Sequence, residues 1–186
     1  MRLFIATPIS HEVEKELARI ISTFKNAGGP VKWVAPSSVH LTLKFLGETD
    51  EKFIPQLKDI INEAAMAHRA IPTSLNSLGA FPNLNRARVY WVDLVGGASE
   101  LAQIAGQLDN AIHDLGFEKE SRPFRAHLTL GRVKFPQGLQ KLNETVKTFK
   151  VNQLQQVFDR IILFKSTLTP RGAIYDNLYE ARLGLQ

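Results

Sequence analysis

Val39-His40-Leu41-Thr42-Leu43-Lys44-Phe45-Leu46-Gly47 is a strand written in alternation, and its opening returns unchanged later in the chain as His127-Leu128-Thr129-Leu130. Successive side chains of a strand point to opposite faces. In each copy the two leucines therefore face a core, while the histidine and threonine face something polar. In a chain of 186 residues with 5 histidines, composition alone produces the pattern His-apolar-Thr-apolar on the order of 0.05 times. Two copies point to a duplicated functional element, with one active site built from two histidines.

Working outward, Arg2 to Ile9 reads as a strand and Glu12 to Lys25 as a helix with Val13, Leu17, Ile20, Ile21 and Phe24 on one stripe. Val31 to Val34 is a short strand, and the first tetrad strand, Val39 to Leu46, stops at Gly47. Asp50 caps a helix to about His68, closed by Ile71-Pro72. Strands are predicted over Thr73 to Ala80 and Ala87 to Val95, flanking a loop over Phe81 to Arg86. Ser99 caps a helix to Leu115, and the second tetrad strand covers Ala126 to Val133. A short helix over Gly138 to Thr148 precedes two strands, Val157 to Ser166 and Ile174 to Leu183, joined by the turn Thr169-Pro170-Arg171-Gly172. This order predicts an α+β fold with antiparallel sheets and outer helices. The economical arrangement is one bilobal domain over residues 1–186, its two lobes related by a pseudo-two-fold, with the tetrads meeting in a central groove. A single mixed sheet is the alternative.

The composition is that of an ordinary globular chain, 44% hydrophobic and 22% charged. No stretch approaches the ~18 apolar residues of a membrane span. The lack of cysteine excludes disulfides, a thiol nucleophile and thiolate metal sites, and is compatible with the cytoplasm, the location expected here. A net charge of +5 favours an anionic partner. Five basic residues, Lys119, Arg122, Arg125, Arg132 and Lys134, flank the second tetrad against the single acid Glu120.

The chemistry follows from the histidine pair. A catalytic zinc needs three protein ligands, and the tetrads offer no acid, no cysteine and no His-Glu-x-x-His, so no metal and no cofactor is expected. Neither Gly-x-Ser-x-Gly nor a glycine-rich phosphate loop is present. Two imidazoles flanking a phosphodiester can divide the work of general acid and general base, each transfer contributing about 10²–10⁴ in rate. The residues alone leave open which histidine is the acid. Thr42 and Thr129 can donate to the non-bridging phosphate oxygens. His11, His68 and His113 have no threonine partner and suit surface or capping roles, while Arg86 and Arg88 suit a phosphate-bearing partner or a solvated face.

The chain resembles the two-histidine phosphoesterases, and among them the RNA 2′,3′-cyclic phosphodiesterases once described as 2′-5′ RNA ligases. Beyond the tetrads, the likeness rests on Met1-Arg2-Leu3-Phe4-Ile5-Ala6, Trp33-Val34-x-Pro36, Gly79-Ala80-Phe81-Pro82, Arg88-Val89-x-Trp91-Val92 and Leu168-Thr169-Pro170-Arg171-Gly172. The resemblance implies metal-free hydrolysis of an RNA-terminal 2′,3′-cyclic phosphate to a 2′-phosphate. It would have His40 protonate the departing 3′ oxygen and His127 activate water. It also places Phe45 and Arg132, each five residues after its histidine, near nucleoside and phosphate. Simple alternation puts an odd offset on the leucine side, so a bend, with Gly131 as the candidate, must turn Arg132 to the groove. The implied partner is an RNA or nucleotide bearing the cyclic phosphate, with no membrane involved and the chain acting as a monomer. Reversible 2′-5′ ligation of tRNA halves and a catalytically silent RNA-binding module are the alternatives.

Overall fold

The computed structural model describes residues 1–170 and 172–184. Leu3, Phe4, Ile5 and Ala6 are all buried, so the strand they form, β1 (Arg2–Pro8), is covered on both faces. Ser10 then caps α1 (His11–Ala27) by accepting a hydrogen bond from the Val13 amide. Glu12 and Glu14 stand in its first turn and Lys25 in its last, where the helix dipole favours them. There follow β2 (Val31–Trp33), β3 (His40–Glu48), α2 (Ile54–Ala67), β4 (Ile71–Phe81), β5 (Val89–Val95), α3 (Ala98–His113), β6 (His127–Val133), α4 (Gln140–Thr148), β7 (Gln155–Phe158), β8 (Arg160–Thr169) and β9 (Gly172–Arg182).

The strands form two antiparallel sheets, ordered β3-β1-β8-β9 and β2-β6-β5-β4-β7. This is the predicted bilobal α+β arrangement, and the single mixed sheet is excluded. The halves of the chain are interleaved between the lobes. Hairpin β4-β5, from the first half, pairs with the second tetrad strand β6, while β8-β9 pairs through β1 with the first tetrad strand β3. The helices cross over too: α1 packs on α4, and α3 packs on α2 and β3. Phe24 of α1 seals its contact against Trp33 and Phe149, with ring centroids 5.9 and 5.5 Å away. Leu41, Leu43, Leu128 and Leu130 all lie in one buried cluster, the core side of both tetrads.

Several boundaries depart from the sequence reading. Val157 to Ser166 is two strands, because Asp159 separates β7 from β8 and the two belong to different sheets. Aspartate is a poor strand former; here its carboxylate accepts from Arg160 Nε at 2.8 Å and its carbonyl from the Leu183 amide at 2.8 Å. Ile71-Pro72 opens β4, and Pro72 is tolerated because it lies beyond the β5 ladder, which begins at Ser74. Strand β3 runs through Gly47, whose φ of 70° suits glycine, to Glu48. Asp50 caps a short 3-10 turn, Glu51–Phe53, ahead of α2. Gly97, not Ser99, precedes α3, and a Cβ there would lie 2.3 Å from Ile71 Cγ2, leaving no space for a capping side chain. In the last predicted turn Thr169 Oγ1 donates to the Gly172 carbonyl at 2.7 Å, and Arg171 lies outside the described residues.

One buried charge ties the lobes' connecting segment in place. Lys44 is only 5% exposed, and its ammonium donates to Asp109 Oδ1 at 2.5 Å and to the Glu118 carbonyl at 2.7 Å. Asp109 also accepts from the Glu120 amide at 3.0 Å. Burial alone would raise the Asp109 pKa, but the hydrogen bonds from Lys44 and Glu120 outweigh it and hold the carboxyl below its ordinary value. Lys44→Ala, which strands that carboxylate, should lower unfolding stability by about 3 kcal/mol. A depressed carboxylate contributes stability that is lost as pH falls through its folded value. The gap between wild type and variant in urea unfolding should therefore close below about pH 4; a constant gap down to pH 3 would contradict this account.

Candidate active site

The two histidines are held in the same way. His40 Nδ1 lies 2.9 Å from the Ser38 carbonyl and His127 Nδ1 lies 2.7 Å from the Arg125 carbonyl. A carbonyl oxygen only accepts, so each Nδ1 carries the hydrogen. Proton exchange is left to Nε2 in both rings. Burial is the largest influence on each and pushes both imidazoles below their ordinary pKa, opposed by the carbonyl each one faces. For His127 the guanidinium groups of Arg132 and Arg125 add to the depression and Asp93 counters it.

The flanking residues reach the histidine face through a slip in the ladder. Against β1, Lys44 pairs with Ile5 and Thr42 with Ala6, so Leu43 has no partner. Against β5, Gly131 pairs with Tyr90 and Thr129 with Trp91, so Leu130 has none. Each tetrad therefore ends in a β-bulge at its last leucine. A bulge shifts the alternation by one residue: Leu43 and Lys44 are both buried, as are Leu130 and Gly131, and the next residues, Phe45 and Arg132, are exposed. Phe45 is 59% exposed and stands 6.4 Å from Phe4, the ring on which His40 stacks at 4.8 Å. The bend expected at Gly131 is thus present in both copies. Gly131 fits because Trp33 and Val31 press on it; a Cβ would lie 2.7 Å from Trp33 Cε3 and 2.8 Å from Val31 Cγ1.

Strands β3 and β6 are in contact across the two sheets, and Tyr175 and Arg132 extend the connection. Tyr175, on β9, meets His40 edge-on at 5.3 Å, and the charge of Arg132 acts on both the Tyr175 hydroxyl and His127. Burial raises the Tyr175 pKa, against the opposing pull of Arg132 and Arg2. His40, Thr42 and Phe45 thus share one face of β3, and His127, Thr129 and Arg132 one face of β6, with the two strands in contact and Tyr175 between His40 and the charge of Arg132. Phe164 and Tyr175 box His40, and Phe81 meets His127 edge-on at 5.0 Å. A cavity of about 380 Å³ opens beside Phe45, lined by both acids and bases, Lys44, Glu118, Lys119 and Glu120, and it includes neither histidine.

Among these, Phe4, Phe164 and Tyr175 are not singled out by the sequence reading, since their place follows from strand order within the sheet that carries His40. Tyr175 in particular carries no local signal. The remaining histidines are engaged elsewhere: His11 faces Glu14 at 3.7 Å, His68 Nε2 pairs with Gln107 at 3.0 Å, and His113 Nδ1 donates to the Phe117 carbonyl at 2.8 Å. Among the described residues no three His, Cys, Asp or Glu side chains are grouped to hold a metal ion. Nor is any described helix long and apolar enough to cross a membrane.

Fold and cleft define a duplicated two-lobe α+β protein with one histidine contributed by each repeat. The LigT like Phosphoesterase family matches the chain twice, over residues 8–91 and 92–175. An RNA 2′,3′-cyclic phosphodiesterase of Methanocaldococcus jannaschii is 38% identical over 97% of this chain and 99% of its own length. One of Thermotoga maritima is 33% identical over 98% and 95%. Among solved structures, a protein of Thermus thermophilus superposes with a TM-score of 0.82 at 27% identity, covering 99% of this chain and 98% of that one. E. coli LigT, crystallised with 3′-AMP, shares the fold with a TM-score of 0.78 at 21% identity over the same fractions. The chain belongs to the LigT-like phosphoesterase family.

The close packing around Gly131 yields a test of the bulge. Gly131→Ala should lower stability by about 1–3 kcal/mol, because Trp33 and Val31 must move. It should also weaken inorganic phosphate binding, measured by calorimetry, as Arg132 is displaced. Unchanged stability and unchanged phosphate affinity would mean that Gly131 does not set the direction of Arg132.

Proposed function

We propose that the chain hydrolyses RNA-terminal 2′,3′-cyclic phosphates to 2′-phosphomonoesters by paired general acid and base catalysis, without a metal. The observation that carries this reading is the shared pinning of His40 and His127 through Nδ1, which leaves an Nε2 free on each of two strands that are in contact. The names of the related enzymes support the substrate class. One bilobal unit over residues 1–186 is required, since each half supplies one histidine and both sheets draw strands from both halves.

In the forward reaction His127 Nε2 takes a proton from water as the water oxygen bonds to phosphorus. The P–O3′ bond breaks, and His40 Nε2 delivers its proton to O3′. The products are a 2′-phosphate and a free 3′-hydroxyl, with His127 protonated and His40 neutral until a solvent exchange resets the pair. Thr42 and Thr129 donate to the non-bridging oxygens, and Arg132 balances their charge. Phe45 offers an exposed ring on which a base can stack, next to the cavity that begins there. The basic run Lys119, Arg122, Arg125, Arg132 and Lys134 draws the polyanion toward this face.

His40→Ala and His127→Ala should each reduce turnover of an oligoribonucleotide 2′,3′-cyclic phosphate by at least about 10², with circular dichroism unchanged. Thr42→Ala and Thr129→Ala should cost less. Activity should persist in EDTA and give the 2′-phosphate isomer; loss in chelator restored by zinc or manganese would overturn the metal-free reading. Replacement of water by an RNA 5′-hydroxyl would yield 2′-5′ joined product and identify a ligase, and binding without turnover would identify a silent module.

The pH dependence has a definite sign. Both imidazoles are held below the ordinary 6.5 in the free protein, and kcat/KM reports free-enzyme groups. Its bell should have both limbs on the acid side of about pH 6.5, as properties of the coupled pair. A flat profile from pH 5 to 9 where chemistry limits the rate would mean that the imidazoles transfer no proton.

A further inference from the structure

The two halves of the cleft are alike in the tetrads, the bulges and the Nδ1 contacts, and they differ in what stands across the ladder from each histidine. Opposite His40 on β1 is Pro8, which carries no charge. Opposite His127 on β5 is Asp93. Residues directly opposed in an antiparallel pair share a face, with Cβ atoms about 4.5–5.5 Å apart. Asp93 thus shares the face of β5-β6 that carries His127, beyond ion-pair distance of the ring, and its charge acts on the imidazole through space.

The remaining surroundings of the two rings widen the difference. His40 is enclosed by Phe4, Phe164 and Tyr175. His127 is faced by Phe81 from β4, by Arg132 of its own strand, by Arg125 from the segment before it, and by Asp93 from β5. Across the cleft, β3 brings His40 and β9 brings Tyr175 toward the same space. Asp93 is the one acid among these groups.

We propose that Asp93 is a positioning residue for catalysis: facing His127 across the β5-β6 ladder, its carboxylate stabilises the imidazolium formed when His127 takes the proton from the attacking water, and so commits His127 to the role of base. In serine hydrolases a carboxylate hydrogen-bonded to the imidazole Nδ1 stabilises the charge that develops without itself being protonated; here Nδ1 is bonded to the Arg125 carbonyl, and Asp93 acts on the ring through space. Here it also offsets Arg125 and Arg132, which would otherwise oppose the proton's arrival. His40, with aromatic rings and no carboxylate, is left as the readier proton donor to O3′. The inference rests on the acid/base reading of the site given above.

Asp93→Asn keeps the shape and removes the charge. Its kcat should fall about ten-fold with KM little changed, since Asp93 does not touch the substrate. One limb of the kcat/KM profile should move to lower pH while the other stays. By NMR of the imidazole nitrogens, the titration midpoint of His127 should drop to lower pH and that of His40 should not move. Asp93→Glu, which restores the charge, should recover most of the rate. If Asn prevents folding, Asp93→Ser removes the charge with a smaller side chain and serves for the same readings. An unmoved His127 midpoint together with unchanged kcat in a folded, uncharged variant overturns the proposal. The NMR titration needs no turnover, so the two levels separate: near wild-type activity in His127→Ala would overturn the reading of the site, whereas an inactive His127→Ala with an unmoved titration in Asp93→Asn would overturn only the role of Asp93.

Discussion

The cleft depends on one constraint of antiparallel sheets: side chains alternate, and only an unpaired residue can change which face the next one takes. Leu43 and Leu130 are those residues. Each stays buried with the core leucines before it, and each shifts the alternation so that the position five after the histidine joins the histidine face. Without the slip, Phe45 and Arg132 would be driven into the apolar interior, where a guanidinium without partners is strongly disfavoured.

The slip creates a second demand, because the residue after the bulged leucine is turned inward in both halves. The two halves meet it differently. In β6 the inward residue is Gly131, with no side chain to accommodate, and Trp33 and Val31 fill the space. In β3 it is Lys44, whose ammonium must be paired inside the protein, and Asp109 and the Glu118 carbonyl pair it. That pairing has a long-range consequence. Asp109 belongs to α3 and Glu118 to the segment leading toward Arg125 and His127, so the base of the first tetrad strand anchors the approach to the second. The duplicated sequence is therefore mechanically linked as well as repeated.

The tetrads, the core leucines and most elements were readable because their signals are local: alternation and helical stripes. Even the need for a bend before Arg132 followed from the odd offset between it and His127. What escaped was set by contacts distant in sequence. Helix α3 starts at Gly97 rather than Ser99, the Leu101 amide donating to the Gly97 carbonyl at 2.9 Å, and Ile71 from another strand leaves room there only for glycine. Asp159 divides what reads as a continuous apolar run, and the division decides which sheet each piece joins. Tyr175 reaches His40 although β1 and β8 lie between β9 and β3, because its ring extends across the sheet face over Phe4. No window of sequence around Tyr175 contains that information.

Burial and function pull the histidines in opposite directions. Desolvation holds both rings neutral, the state required of a base but not of an acid. Under the proposed function, the acid takes its proton from solvent and the substrate's negative charge favours that uptake. A cyclic phosphate brings a negative charge into the space beside both Nε2 atoms, and an opposite charge at that range favours the imidazolium. Proton loading of the acid is then linked to substrate binding, so the empty cleft avoids holding two cations beside Arg125 and Arg132. The aromatic enclosure of His40 adds to this linkage. A poorly solvated imidazolium gains more from an adjacent phosphate than an exposed one would, and it surrenders its proton more readily once O3′ carries the developing charge.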